Sequence, residues 1–436
     1  MIPAVSNRET LFSQLPKNSA ILVQSGEELI RNRDVEFPFR PHSDFFYLTG
    51  FHEPDSFLLM SNIDGENVST IFVRSKDLQQ EIWQGRRLGV EGAAETLQVE
   101  QAAPIEELDE HLPELLSGIE QIFVSFSDFA EWMEILAPVI DSLKKQVRKG
   151  IDSPVGVMDL DSLLHEQRVI KTEPEIDAMR KAAQISVQGH LAAMRVASSA
   201  KTEREVQIAL ETGFYRDGGE RVAFNSICAS GENACILHYT ENTSLLEPNA
   251  LLLVDAGAEY QGYAGDITHT YPPSGKFSEA QAALYSLVLK AQQAVIEMVK
   301  PGVLYGDLHQ TTLRILTEGL IELGILQGDL EALLEEKAYM DFFMHGTGHW
   351  LGMDVHDVGV YKIDGEWRPL QAGMILTVEP GLYISDRHQN VDAKWHNIGI
   401  RIEDDVLVTA DGHEVLTEGL PRTVAEIETW FAEQAK

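Results

Sequence analysis

In the first third of the chain, apolar residues come in short runs between polar breaks. The runs at 20–24, 45–49, 57–61, 70–73 and 123–125 read as strands. The stretches 105–117 and 130–144 instead repeat their apolar positions with helical period. Strands interleaved with helices predict an α/β domain. A break follows at KGIDSPV, residues 149–155, which combines glycine, proline and charge. Residues 161–169 read as a connecting helix. A strong helix start comes next: Thr172 caps, Pro174 suits an early helical position, and Glu175 completes a capping box. Ile176, Met179, Ala183, Val187 and Leu191 form its buried stripe. The domain boundary is therefore placed at Lys171, giving domains 1–170 and 171–436.

The remainder mixes long helices, predicted at 203–215, 279–299 and 304–323, with strands at 251–259, 262–271, 374–378 and 399–408. Strands joined by short turns, with helices in separate blocks, predict an α+β domain. No internal repeat is visible.

Length supports two domains, because 436 residues exceed the usual size of one hydrophobic core. With 44% hydrophobic and 24% charged residues, the composition is globular. The formal net charge of −35 disfavours nucleic acid and anionic membranes as partners, since both draw on Lys and Arg. The bland reading of that charge is a solvated acidic surface that keeps the protein in solution. Cys228 and Cys235 are the only thiols, and they lack metal-cluster spacing. So few thiols fit a reducing compartment. The N-terminal residues show no basic segment followed by an apolar one, so the expected location is the cytoplasm.

Three features carry candidate chemistry. The first is LLLVDAGAEYQGYAGDITHTY, where Asp255 and Asp266 each sit inside an apolar strand. A tight turn at Tyr260 and Gln261 would set the two aspartates directly opposite each other on one face. Facing like charges in a half-buried sheet need compensation, which a divalent cation supplies. The plain alternative is a pair of turn-flanking residues at an exposed edge. The second feature is FFMHGTGHWLGMDVHDVG, with His345, His349 and His356 within twelve positions. Two glycines between the first pair argue against a zincin helix. Some of these histidines are candidate ligands, others hydrogen-bond donors or proton carriers. The third is a pair of acids in apolar strands, Glu379 in MILTVEPGLYI and Glu403 in NIGIRIEDDVLVT. Singly, each could face solvent. As a set, Asp255, Asp266, His349, Glu379 and Glu403 suit oxygen-preferring divalent metals, with manganese a good candidate. Four carboxylates exceed the needs of one catalytic ion and fit two ions sharing carboxylates.

The order Asp, Asp, His, Glu, Glu resembles the ligand set of the metallopeptidase family that includes Xaa-Pro aminopeptidases, prolidases, methionine aminopeptidases and creatinases. All five positions are filled. FPFRPHSDFFYLTGF, EIWQGRRLG, SGENACILHYTEN, YAGDITHTYP and GIRIEDD are similar to segments of its aminopeptidase P branch, so the resemblance covers nearly the whole chain. It implies a pita-bread catalytic domain after an α/β, RNase H-like N-terminal domain. It further implies two divalent ions held by the five ligands. His238 and His356 would line the cleft and support the tetrahedral intermediate, and His345, Tyr383 and Arg401 would lie near the substrate. Trp83 would help close the cleft across a subunit contact in a tetramer or other homo-oligomer. The implied reaction is hydrolysis of the N-terminal bond of peptides with proline second. Glu379 would carry the proton from water to the leaving nitrogen. His356 and His238 would donate hydrogen bonds to the oxyanion. Proline's nitrogen bears no N–H, so its pocket should be apolar and read by shape, with His345 as one wall. A prolidase restricted to dipeptides is the enzymatic alternative and would need a carboxylate-binding group, a part Arg401 could be given. A non-catalytic scaffold of the same fold is the alternative from another class, and creatinase a weaker one. Residues 384–398 depart from the family's pattern and read as a surface loop, with His388 and His396 exposed.

Overall fold

The computed structural model describes residues 2–247 and 249–434, which divide into two compact units, Met1–Gln167 and Arg168–Lys436. The first unit is built on a mixed six-stranded sheet. Its central strand Ser19–Gln24 pairs antiparallel with Phe57–Ile63 and parallel with Gln121–Val124. Leu22, Phe57, Phe72 and Ile122 of this sheet bury against Leu112, Trp132 and Leu136 from the helices Leu108–Leu115 and Phe129–Lys144. One prediction fails here. Residues 45–49 are not a strand but the core of the helix Ser43–Thr49, every residue of which is buried. A short apolar run hidden on all sides carries no periodicity that separates strand from helix. Gly50, at φ 65°, ends the helix in the left-handed conformation.

In the second unit, the helix Glu173–Ala197 starts at the predicted capping box of Thr172 and Glu175. It packs against Glu203–Arg216, and Glu279–Met298 likewise packs against Tyr305–Glu322. Each helix pair precedes a long hairpin that is interrupted halfway.

The first hairpin pairs Leu252–Asp255 with Thr268–Tyr271 and Ala258–Tyr260 with Tyr263–Ala264. The continuous strands predicted over 251–259 and 262–271 are therefore both broken. Gly257 marks the break, since a Cβ there would lie 1.6 Å from the Gly265 carbonyl oxygen. The turn falls on Gln261 and Gly262, at φ 50° and 78°, one residue later than predicted. Asp255 consequently faces Thr268 and not Asp266. Asp266 falls in the break two residues before Thr268, near enough to Asp255 that, after burial, that charge helps raise its pKa.

The second hairpin pairs Ile375–Val378 with Asp404–Val408 and Gly381–Ile384 with Ile398–Arg401. The predicted strand 399–408 is thus split at Ile402 and Glu403. Register is the same on both sides of the gap, which sets Glu379 opposite Glu403. The two hairpins are stitched together: Glu403 N–H donates to Thr268 O at 3.0 Å, and Thr270 Oγ1 to Arg401 O at 2.8 Å. The histidine segment runs beside Ile375–Val378, with Thr377 N–H on His349 O at 2.9 Å and Glu379 N–H on Thr347 O at 2.7 Å. Gly348 permits that approach, because a Cβ there would meet Thr377 O at 1.9 Å. His388 and His396 are half-buried and not exposed as predicted; they face the carbonyls of Asp341 and Val391 at 2.9 and 3.0 Å. Among the described residues, no helix is long and apolar enough to cross a membrane.

Candidate active site

The acids predicted as ligands stand at the interruptions of the two hairpins, where the ladder leaves side chains free to converge. Ligand atoms of Asp266, His349 and Glu403 all lie within 4.8 Å of one another. His349 Nε2 is 3.6 Å from Asp266 Oδ2 and 3.7 Å from Glu379 Oε1. Its other nitrogen, Nδ1, faces the Trp350 carbonyl at 2.9 Å. A carbonyl only accepts, so Nδ1 carries the hydrogen and Nε2 presents a lone pair to two carboxylates. Burial also drives the His349 pKa down to about 4, keeping the ring neutral.

Asp255 faces a different partner. Its Oδ2 accepts from Arg401 at 2.5 Å, and Arg401 also donates to Tyr383 Oη at 2.8 Å and Thr268 Oγ1 at 3.1 Å. Tyr383 Oη is in turn 2.8 Å from His345 Nε2, and His345 Nδ1 lies 3.8 Å from Glu379 Oε2. Since His345 Nδ1 faces the Gly346 carbonyl, its Nε2 accepts the tyrosine proton. Burial, followed by the Arg401 charge, holds the His345 pKa at about 3. His356 packs edge-on against His349 with ring centroids 4.4 Å apart, and its side chain reaches solvent. His238 is exposed and near enough for its charge to oppose protonation of His345. Trp83 belongs to the first unit, on the helix Leu78–Gln84, and is 87% exposed.

The carboxylates are too crowded to stay ionised alone. Burial, then Glu403 and Asp255, pushes the Asp266 pKa far up. Burial, then Glu379 and Asp255, does the same to Glu403. Burial pushes Glu379 up to about 8 against the opposing pull of Arg401. The buried oxygens Asp255 Oδ1 and Asp266 Oδ1 have no hydrogen-bond partner. Acceptor-only groups converging on a lone pair, with orphaned oxygens among them, match divalent cations and little else.

Several supporting residues escaped the sequence analysis. Thr268 Oγ1 donates to Glu403 Oε2 at 2.6 Å and orients it. Asp405 Oδ2 accepts from the Asp266 N–H at 3.1 Å. Asp404 turns away, held by Arg422, by Thr417 and by Gln292 at 2.6 Å. The signal was there: three consecutive acids, all buried, in an apolar strand cannot all serve one centre.

Comparison with known proteins places this geometry in a lineage. Residues 177–410 match Metallopeptidase family M24, and residues 4–123 match the aminopeptidase P N-terminal domain. The chain is 40% identical to Xaa-Pro aminopeptidase of Escherichia coli, covering 97% of this chain and 95% of that protein. It is 42% identical to Xaa-Pro aminopeptidase of Haemophilus influenzae over the same shares. The structure superposes on aminopeptidase PepP of Pseudomonas aeruginosa with a TM-score of 0.97 at 42% identity, covering all of both chains. Zinc-substituted aminopeptidase P of Escherichia coli in complex with product gives 0.96 at 39% identity, over 99% of this chain and 98% of that one. The fold is thus a pita-bread catalytic domain following an aminopeptidase P-type N-terminal domain. With the family pattern spanning its carboxylate cage and identity extending nearly end to end, the chain belongs to metallopeptidase family M24.

Proposed function

We propose that this chain is a metal-dependent aminopeptidase that hydrolyses the bond between an N-terminal residue and proline. The observation that carries the reading is the His349 Nε2 lone pair turned toward Asp266 and Glu379, in a chain whose relatives are Xaa-Pro aminopeptidases. Asp255, Asp266, His349, Glu379 and Glu403 would hold two divalent cations, and the oxygen-rich set favours manganese. Bound cations supply Lewis acidity and lower the pKa of water toward neutrality.

The rest of the chemistry falls to the protein's own groups. Glu379 would carry a proton from the attacking water to the proline nitrogen. His356 and His238 reach solvent and would serve as donors to the developing oxyanion. His345 and Tyr383 form a wall for the proline ring. Arg401 positions that wall and Asp255 together. Trp83 closes the cleft from a neighbouring copy in a homotetramer or dimer. The functional domains are taken as 1–170 and 171–436, and the cytoplasm as their location.

The prolidase alternative is disfavoured by Arg401. It is 4% exposed, and its Nε, Nη1 and Nη2 are committed to Thr268, Tyr383 and Asp255. Buried, and with each of its three nitrogens already bonded within the protein, it is poorly placed to take a substrate carboxylate. The scaffold alternative is disfavoured by the complete donor set. The deciding experiment compares an Xaa-Pro-Xaa tripeptide with an Xaa-Pro dipeptide, each with and without manganese. Release of the first residue from the tripeptide supports the proposal. Cleavage of the dipeptide alone would replace it with prolidase, and cleavage of neither with a scaffold.

A further inference from the structure

Residues 350–357 form a loop of successive bends that cups His349. Trp350 O accepts from His349 Nδ1 at 2.9 Å and from the Asp357 N–H, also at 2.9 Å. Gly352 O accepts from Ala264 N–H at 2.8 Å, tying the loop to the hairpin that bears Asp266. His356 packs edge-on against His349 from the same loop. The segment's start is held by the Trp350–Leu376 bridge and by Leu351 N–H on Ile375 O at 3.0 Å, but beyond Leu351 no ladder continues.

At the loop's far end the anchor is one buried carboxylate. Asp357 is 6% exposed, accepts from Arg168 Nη2 at 2.7 Å through Oδ1, and from Lys171 Nζ at 2.9 Å through Oδ2. Both cations are themselves buried, at 3% and 5% exposure. The Asp354 N–H caps Oδ1 at 3.5 Å, and Arg168 also reaches Asp354 at 2.9 Å. Gly352 packs flush on the carboxylate, since a Cβ there would sit 2.0 Å from Asp357 Oδ2. A buried ion pair is weak evidence of stabilisation, because desolvation offsets most of the attraction. Its rigid, two-sided geometry is better suited to setting position. The clamped residue adjoins His356 in sequence, and its N–H shares the Trp350 carbonyl with His349 Nδ1.

We propose that Asp357, gripped between Arg168 and Lys171, is a positioning residue that fixes the ring of His356 and the tautomer of His349. The inference rests on the roles given above to those two histidines. Groups that orient a ligand from behind typically change affinity or activity by roughly ten- to a hundredfold when removed.

The test uses the full-length chain with Asp357→Asn, which keeps shape and removes charge, and Arg168→Met, which opens the clamp from the other side. Two readouts are taken. On metal-free protein, imidazole 15N shifts report the tautomers: the parent chain gives His349 as the Nδ1–H form, and both variants give mixed tautomers. On manganese-loaded protein, kcat for an Xaa-Pro-Xaa peptide falls roughly ten- to a hundredfold while KM stays within about threefold. Folded variants with unchanged histidine shifts and unchanged kcat overturn the proposal, leaving the clamp merely structural. A raised KM at constant kcat also overturns it, because it marks a substrate contact. If Asp357→Asn does not fold, Arg168→Met alone decides by the same two readouts. A parent chain that cleaves no such peptide defeats the functional reading instead, and the tautomer readout still judges the clamp.

Discussion

The two interrupted hairpins carry the same number of site carboxylates but balance them differently. In the first, Asp255 is neutralised within the protein by Arg401 at 2.5 Å. In the second, Glu379 and Glu403 fall opposite each other in register, and burial drives both toward the protonated form. The strand-end charge of the first hairpin is thus met by an arginine of the second, whereas the facing acids of the second need protons or cations. Asp266 joins them: its carboxylate belongs to the crowded set, and its N–H binds Asp405 of the second hairpin.

The sharpest way to break this comparison is to remove the joint. Asp266→Ala should lose bound metal and reduce peptide hydrolysis roughly a thousandfold or more, as for other groups that act as a unit. Activity and metal content measured on the same sample check this. Next in size is a contrast between the hairpins in chelator. Asp255→Asn strands the buried Arg401 charge and should cost about 3 kcal/mol of stability. Glu403→Gln removes one of two facing acids and should stabilise the metal-free chain. Urea unfolding of both variants checks the opposite signs; destabilisation of the same size in both would erase the distinction.

A smaller effect follows from pH. The raised pKa of Glu379 means that the metal-free folded state binds a proton the unfolded chain releases, between the ordinary carboxylate range and about 8. Stability rises with pH only where the unfolded state binds more protons, so here it falls as pH rises through that window. Metal-free protein should thus lose a few degrees of Tm from pH 5 to 8, and saturating manganese should abolish the slope. Calorimetry with and without chelator checks it. The smallest effect belongs to Trp83. At 87% exposure, Trp83→Ala should leave unfolding stability within about 0.5 kcal/mol, even if it raises KM.

These contrasts explain what was legible in the sequence. Acids inside apolar strands announced Asp255, Asp266, Glu379 and Glu403, because an unpaired buried charge is costly enough to be conspicuous. The capping box announced the helix at Glu173–Ala197. What stayed hidden was relative placement. A turn displaced by one residue moved Asp255 from Asp266 to Thr268, and the opposed pair turned out to be Glu379 and Glu403. Strand breaks were invisible because they depend on backbone approach, as where Gly257 meets Gly265. The helix Ser43–Thr49 was read as a strand because a fully buried run has no polar face to reveal its period. Arg401 was noticed by resemblance, yet its commitment to Asp255 and Tyr383 required coordinates.

The central claim is that converging carboxylates and one neutral imidazole make hydrolysis depend on divalent cations. It is tested most directly by stripping the chain with chelator and following Xaa-Pro-Xaa cleavage while manganese is added back. The account predicts no cleavage at the start and a rise that saturates near about two equivalents. An unchanged rate in chelator, with no metal left on the chain, would contradict it.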